Sequence, residues 1–309
     1  MKQLIILVIC SALLLLFTSN TNSNKISETI DKATTKQYPM YQPSWSSTNF
    51  QALDIGVGAD GDAIAVGIDG KVYSYNFIAN SWSQLDGDYE MLNIIRVDVD
   101  DQGTPYLVGS VGGIFYLSCY NNWVQLRGCA VDIGVGRGSE IWRIGCDAKG
   151  ANRQDFGVWK LFCECECKCG CGRRCIRFRP SKYVNNPNGD KRKCYWNKIE
   201  GSGVKIDVHP NGNPYIINST GRIFKYDSES YNFTAVNGLL AKDITLSNEG
   251  LLYAVGKSDN RIYRSVEEDA GTWQALQGCA NEISAGPYSQ PWIVACDSNI
   301  VTTSKLNFN

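Results

Sequence analysis

One stretch of this chain, residues 53–87 with the sequence LDIGVGADGDAIAVGIDGKVYSYNFIANSWSQLDG, returns in altered form over most of its length. The opening Asp54-Ile55 is followed by Asp98-Val99, Asp132-Ile133, Asp207-Val208, Asp243-Ile244 and Glu282-Ile283. The second residue of each pair stands at 55, 99, 133, 208, 244 and 283, so the steps are 44, 34, 75, 36 and 39, with one step out of line. Each copy adds an apolar run after a Gly-containing turn: AIAVG, PYLVG, IWRIG, PYIIN, LYAVG and PWIVA. A second run follows (KVYSY, GIFYL, GVWKL, RIFKY, RIYRS, and weakly Ile300-Val301), and then an aromatic residue: Trp82, Trp123, Trp196, Phe233 or Trp273.

Short runs rich in Val, Ile, Tyr and Phe suit a pleated surface, and the Gly turns between them allow tight hairpins. Four such strands fit in one repeat. A lone four-stranded sheet cannot bury both faces, so the copies must stack, and a period near 40 residues with four strands per copy points to propeller blades. The sixth copy ends without its aromatic strand, whereas a stray one, Trp45-Ser46-Ser47-Thr48-Asn49-Phe50-Gln51, precedes the first copy. The expected fold is therefore all-β: a six-bladed β-propeller of four-stranded antiparallel blades, its ring closed by the N-terminal strand near Trp45 joining the last blade.

The blades resemble the tectonin-repeat propellers, the lectin family that includes tachylectin-type and fish-egg agglutinins. The resemblance rests on DIGVGADGDAIAVGIDGKVYSYN…W and its copies, and covers Trp45 to the C-terminus apart from one insertion. It implies a propeller that binds carbohydrate at several sites without chemistry, microbial-surface glycans among them. Two departures bear on this: Phe233 replaces Trp in the fourth copy, and the second reads Val97-Asp98-Val99-Asp100-Asp101 where the first has Leu53-Asp54-Ile55-Gly56-Val57.

At the N-terminus, Lys2 precedes an apolar run over residues 4–17 and a polar Thr/Ser/Asn stretch, the pattern of a secretory signal peptide; the run is too short for a transmembrane anchor. The organisation expected is a signal peptide over residues 1–20, a flexible leader over 21–43 and a propeller over 44–309. The chain is thus expected to be secreted or to occupy the lumen of the secretory pathway. A formal net charge of −1 over 309 residues gives no global field for nucleic acid, and no nucleic-acid partner is expected.

An oxidising compartment suits the 13 cysteines. Cys129/Cys146 and Cys279/Cys296 are both separated by 17 and share one repeat frame (GCAVDIG…IGCD and GCANEIS…VACD), so both pairs are expected as disulfides. The third copy carries about 29 extra residues between its third and fourth strands, a Cys-rich basic insertion at 163–194. Cys163 and Cys194 bracket it and are expected to staple its base. Nine basic residues against three acidic ones mark it as a solvated loop or an anion-binding arm, with Arg173, Arg174, Arg177, Arg179, Lys191, Arg192 and Lys193 as contacts. Its alternating cysteines leave open a folded-back disulfide set, a disulfide-linked oligomer or a thiolate metal cluster, with disulfides favoured because no His is near. No metal or cofactor is expected.

An aromatic face stacks on the apolar side of a pyranose while Asn, Asp and backbone groups meet its hydroxyls. Trp45, Trp82, Trp123, Trp196 and Trp273 are accordingly the candidate ligand residues, set against the alternative that a residue repeated in every blade packs between blades. His209, the lone histidine, falls in a His-Pro-Asn-Gly turn, and no Ser/His/Asp or Cys/His machinery can be assembled, so no enzyme is expected. Asn218 and Asn232 head glycosylation sequons. The functional expectation is a secreted multivalent lectin for microbial-surface glycans, lipopolysaccharide or another anionic polysaccharide; the alternative is a secreted adaptor whose Cys-rich insertion cross-links or docks partners.

Overall fold

A computed structural model describes residues 42–87, 93–118, 121–138, 140–149, 154–163, 194–266 and 271–303. The architecture is antiparallel sheet throughout apart from one short 3-10 turn at Pro287–Ser289. The second half of β1 (Trp45–Val57) pairs in order with β2 (Ala63–Gly67), β3 (Val72–Asn76) and β4 (Ser81–Gln84). The next four-stranded group is β5 (Ile94–Val99), β6 (Pro105–Gly109), β7 (Ile114–Leu117) and β8 (Trp123–Leu126). The third is β9 (Ala130–Gly136), β10 (Glu140–Lys149), β11 (Phe156–Cys163) and β12 (Cys194–Gly203). The fourth comprises β13 (Lys205–Val208), β14 (Pro214–Ile217), β15 (Arg222–Asp227) and the start of β16 (Asn232–Leu246). β16 then turns into the fifth group with β17 (Leu252–Gly256), β18 (Arg261–Ser265) and the start of β19 (Trp273–Ala285). The rest of β19 pairs with β20 (Pro291–Ala295), β20 with β21 (Asn299–Thr303), and β21 with the first half of β1, where Trp45 stands opposite Thr303. The stray N-terminal strand thus completes the group begun by the last copy.

The strands that begin each group are neighbours in sequence order, β1 against β5, β5 against β9, β9 against β13, β13 against β16 and β16 against β19, and β19 lies against β1 again. The core lies between groups rather than inside any of them. Ile64, Val66 and Val72 of the first group pack with Ile94, Val97, Leu107 and Phe115 of the second, and Ala52, Ile55 and Ala65 pack with Trp292, Val294 and Ile300 at the junction where the chain ends meet. Because both faces of a group are covered, the second strands are buried from end to end, as β2, β6 and β17 show. Their unbroken apolar runs follow from that position, since alternation is needed only where one face meets water.

The register of the starting strands corrects the sequence alignment of the copies. Asp54 stands opposite Val66, the fourth residue of its apolar run, and so do Asp132 opposite Ile144, Asp243 opposite Val255 and Glu282 opposite Val294. In the second and fourth groups that place belongs to Arg96, opposite Val108, and Lys205, opposite Ile217. Asp98 and Asp207 instead face Tyr106 and Tyr215, the second residues of their runs. The Asp-Val pairs at 98 and 207 are two residues out of step with Asp54-Ile55. A two-residue slip keeps every side chain on the same face of a strand, which is why hydrophobic alternation does not reveal it.

Candidate functional site

The corrected register puts two layers of polar residues around the axis on which the starting strands converge. The first layer is Asp54, Arg96, Asp132, Lys205, Asp243 and Glu282; the second is Gly56, Asp98, Gly134, Asp207, Thr245 and Ser284. Groups one, three and five place an Asp in the first layer, and each accepts a backbone N–H from the following group: Val97 N–H to Asp54 Oδ2, Ile206 N–H to Asp132 Oδ2 and Ile283 N–H to Asp243 Oδ2, all at 2.7 Å. Groups two, four and six do the same from the second layer, with Val135 N–H to Asp98 Oδ2 at 2.6 Å, Leu246 N–H to Asp207 Oδ2 at 2.7 Å and Val57 N–H to Ser284 Oγ at 2.9 Å. Every junction between groups is therefore tied at the axis by one side-chain acceptor, and the layer that supplies it alternates around the molecule.

The cations in the first layer serve the sixth group. Arg96 lies 3.5 Å from Glu282 and 3.7 Å from Asp132, and Lys205 lies 2.5 Å from Glu282 and 3.1 Å from Asp243. Burial alone would push the Glu282 carboxyl up, but Lys205 and Arg96 hold it below the usual range. The other acids carry the cost of burial. Asp54 is pushed up to about 7, chiefly by desolvation and then by Glu282, and Asp207 up to about 6 by desolvation. Desolvation followed by Asp207 raises Asp98 well above its ordinary value, and desolvation likewise raises Asp243. Two small cavities, each of about 40 Å³, open along the axis, and Asp98, Asp207, Thr245 and Ser284 line both.

A second set of ties runs around the periphery and involves the candidate tryptophans. Indole N–H groups donate from Trp123 to the Asp86 carbonyl (3.2 Å), from Trp196 to Arg127 (2.6 Å), from Trp273 to Asn237 (3.0 Å) and from Trp45 to Gln277 (2.7 Å), and Trp82 donates to Thr48 Oγ1 (3.0 Å). Each reaches the group before its own. The acceptor residue sits just before one with positive φ, as at Gln277-Gly278 (φ 115°). At the junction of the third and fourth groups the partner is Phe233, whose ring packs where a Cβ on Gly201 would sit, at 2.7 Å. The five tryptophans are half-buried, and the indole bonds give them a common structural task of joining each group to the one before it.

Other expected residues are placed as follows. Disulfides join Cys129 to Cys146 and Cys279 to Cys296, each at the entry of a starting strand. Cys163 and Cys194 are Cα partners in the β11–β12 pairing and Cys194 is disulfide-bonded; the side chain of Cys163 lies outside the described residues. Arg173, Arg174, Arg177, Arg179, Lys191, Arg192 and Lys193 also lie outside them. Asn218 sits half-buried in the β14–β15 turn, its Oδ1 accepting from the Thr220 hydroxyl and the Arg222 N–H, whereas Asn232 is exposed at the start of β16. Asn232 is thus the more accessible sequon. His209 is a turn residue whose Nδ1 accepts from the Asn211 N–H at 3.1 Å. The axial residues Arg96 and Lys205 and the acceptors of the indole ties were not foreseen, and Glu282 was seen only as the opening residue of the sixth copy. A signal for the ties is present in the sequence: Gly follows the aromatic residue by five in Trp82…Gly87, Trp123…Gly128, Trp196…Gly201, Phe233…Gly238 and Trp273…Gly278.

Residues 186–308 match the Tectonin domain, so the tectonin resemblance holds over that part of the chain. No curated protein matches the sequence. Among solved structures, a gluconolactonase from Xanthomonas campestris is similar at a TM-score of 0.54 and 11% identity, covering 84% of this chain and 89% of its own. Virginiamycin B lyase from Staphylococcus aureus is similar at 0.52 and 11% identity, covering 85% and 99%. The Cps50 (Swd1) β-propeller domain of Myceliophteria thermophila is similar at 0.50 and 9% identity, covering 88% and 100%. At these identities the likeness shows the fold alone. The chain is an all-β propeller carrying a tectonin match.

Two consequences follow for stability. A Cβ on Gly278 would meet Ile262 Cδ1 at 3.0 Å and Trp45 Nε1 at 3.1 Å in a backbone conformation that L-residues avoid, so Gly278→Ala should cost about 1–3 kcal/mol in denaturant titration. The buried acids set the pH dependence. A carboxyl raised in the folded state binds its proton more tightly there than in the unfolded chain, so its contribution is full below about pH 4 and lost as pH rises through its folded value. With Asp207 near 6 and Asp54 near 7, the melting temperature should fall between pH 5 and pH 8. Asp207→Asn should make that fall shallower, and a melting temperature that rises through the window would contradict the assignment.

Proposed function

We propose that this chain is a secreted, multivalent carbohydrate-binding protein that performs no catalysis, built on a closed ring of six four-stranded blades. The observation that carries the reading is the Tectonin match over residues 186–308, on a chain whose remaining copies have the same strand pattern. Several features support the closed ring: the pairing of β1 with β21, the contact of β19 with β1, and the ties at both the axis and the periphery.

The axial acids argue against chemistry at the ring centre. Asp54, Asp98, Asp132, Asp207 and Asp243 each accept a backbone N–H from the following group, and Glu282 is held by two cations, so these carboxyls are engaged in joining the blades. Similar solved structures include a lyase and a gluconolactonase, and their activities are not carried over to this chain at 11% identity. Repeated weak sites on a rigid ring would gain strength through avidity on a polymeric glycan. The basic insertion, with nine positive residues against three negative ones, suits anionic polysaccharide or lipopolysaccharide as a second point of contact.

A glycan and lipopolysaccharide array probed with the oxidised protein and with a form lacking residues 164–193 tests the reading. Both forms should bind, with the full protein gaining an additional, salt-sensitive preference for anionic glycans. Absence of binding by either form would overturn the lectin reading and leave the adaptor, in which the insertion cross-links or docks partners.

A further inference from the structure

The third group departs from the others at the outer end of its β11–β12 hairpin. At the matching places the first group pairs Asn76 with Ser81, the second has Ser118 beside Asn122, the fourth pairs Asp227 with Asn232 and the fifth has Val266 beside Thr272, so none of these places carries a ring. Apart from Val266 these are the small polar residues that a hairpin end calls for. The third group pairs Phe162 with Tyr195 instead. The two rings are stacked side by side, with centroids 6.1 Å apart and planes 20° from parallel. They are exposed, Phe162 by 37% and Tyr195 by 53%, so the pair is no part of the core between groups.

Among the described residues, the charge nearest the two rings is paired. Lys160 stands two residues from Phe162 on the same face of β11; its Nζ lies 5.5 Å from the Phe162 ring centroid and 5.0 Å from that of the buried Trp142. Glu140 takes up the Lys160 charge at 2.6 Å. Asn197, exposed on β12, is the Cα partner of Lys160 and stands two residues from Tyr195, on the same face. Two adjoining rings, one of them carrying its own phenol hydroxyl, thus lie beside a compensated charge pair and a carboxamide.

We propose that Phe162 and Tyr195 form a stacking platform for a neutral pyranose, a carbohydrate subsite on the outer face of the third blade with Lys160, Glu140 and Asn197 as its polar partners. The proposal rests on the carbohydrate-binding reading and gives it a location outside the five tryptophans, whose indole N–H groups are engaged between blades. The C–H face of a pyranose matches a flat aromatic surface, while its equatorial hydroxyls point outward to donors and acceptors at the rim. Glu140 cancels Lys160, so the described rim carries no net charge, and any selection of an anionic sugar falls to the basic insertion at 163–194 rather than to the two rings.

The test compares the full, oxidised protein with F162A/Y195A on an array of neutral, N-acetylated, uronic-acid and sulfated oligosaccharides, followed by titration calorimetry with the neutral oligosaccharide bound most strongly. The double variant should bind that oligosaccharide at least tenfold more weakly, with its melting temperature unchanged and its retention of sulfated oligosaccharides intact. Y195A alone, which removes the more exposed ring from an edge strand, should show the same direction of loss, and Y195F should recover most of it. Binding of neutral oligosaccharides by the double variant within twofold of the parent would overturn the platform while leaving the lectin reading in place. Failure of the parent itself to bind any sugar would overturn both.

Discussion

The interaction on which the rest of this molecule depends is the bond from a backbone N–H of one starting strand to a side-chain acceptor on the strand before it. A starting strand is flanked by its own hairpin partner on one side only, and near the axis its outer edge would leave amides to be satisfied in a place that water reaches poorly. Five carboxylates and one hydroxyl supply the missing acceptors. This concentrates acids where desolvation is costly, and the molecule answers with the two cations Arg96 and Lys205, both directed to Glu282 in the sixth group. That group is assembled from the two ends of the described chain, so the ion pairs tie it to the second and fourth groups as well as to its neighbours.

The alternation of layers gives the array a period of two blades as well as one. Asp54 with Arg96 and Asp98, and Asp132 with Lys205 and Asp207, are two renderings of one pattern; Asp243 with Glu282 and Ser284 is the third, in which the cation has become an acid and the second-layer acid a hydroxyl. The substitution leaves the third pair to be neutralised by the cations of the other two. Burial then raises both Asp98 and Asp207, and the nearby Asp207 adds to the resistance of Asp98 to ionisation.

Much of the fold could be read from the sequence because each copy carries its own turns and apolar runs. The junction of β1 with β21 was legible because the last copy lacked a strand that the N-terminal region had in excess, and the two disulfides because their cysteines share one frame. The register of the starting strands was not. Asp98-Val99 and Asp207-Val208 mimic Asp54-Ile55 two residues late on the same face, and only pairing with β6 and β14 shows that Arg96 and Lys205 hold the place. The true positions, 54, 96, 132, 205, 243 and 282, are more evenly spaced than those of the Asp-Ile landmark. The tryptophans were legible as repeated residues but not as donors, because an indole N–H names its acceptor only once neighbouring copies are packed. The aromatic pair at Phe162 and Tyr195 was hidden for a different cause, since its meaning lies in contrast with the matching places of the first, second, fourth and fifth groups, none of which carries a ring.

A double-mutant cycle on Lys205 and Glu282 tests most directly whether the axial register is right. The residues lie 77 apart in sequence and meet at 2.5 Å only if Lys205, and not Asp207, shares the first layer with Glu282. Stability measured for Lys205→Met, Glu282→Gln and the double variant should reveal a coupling of about 1–3 kcal/mol, as expected for charged partners within one network. Additive effects, to within about 0.3 kcal/mol, would contradict the axial arrangement.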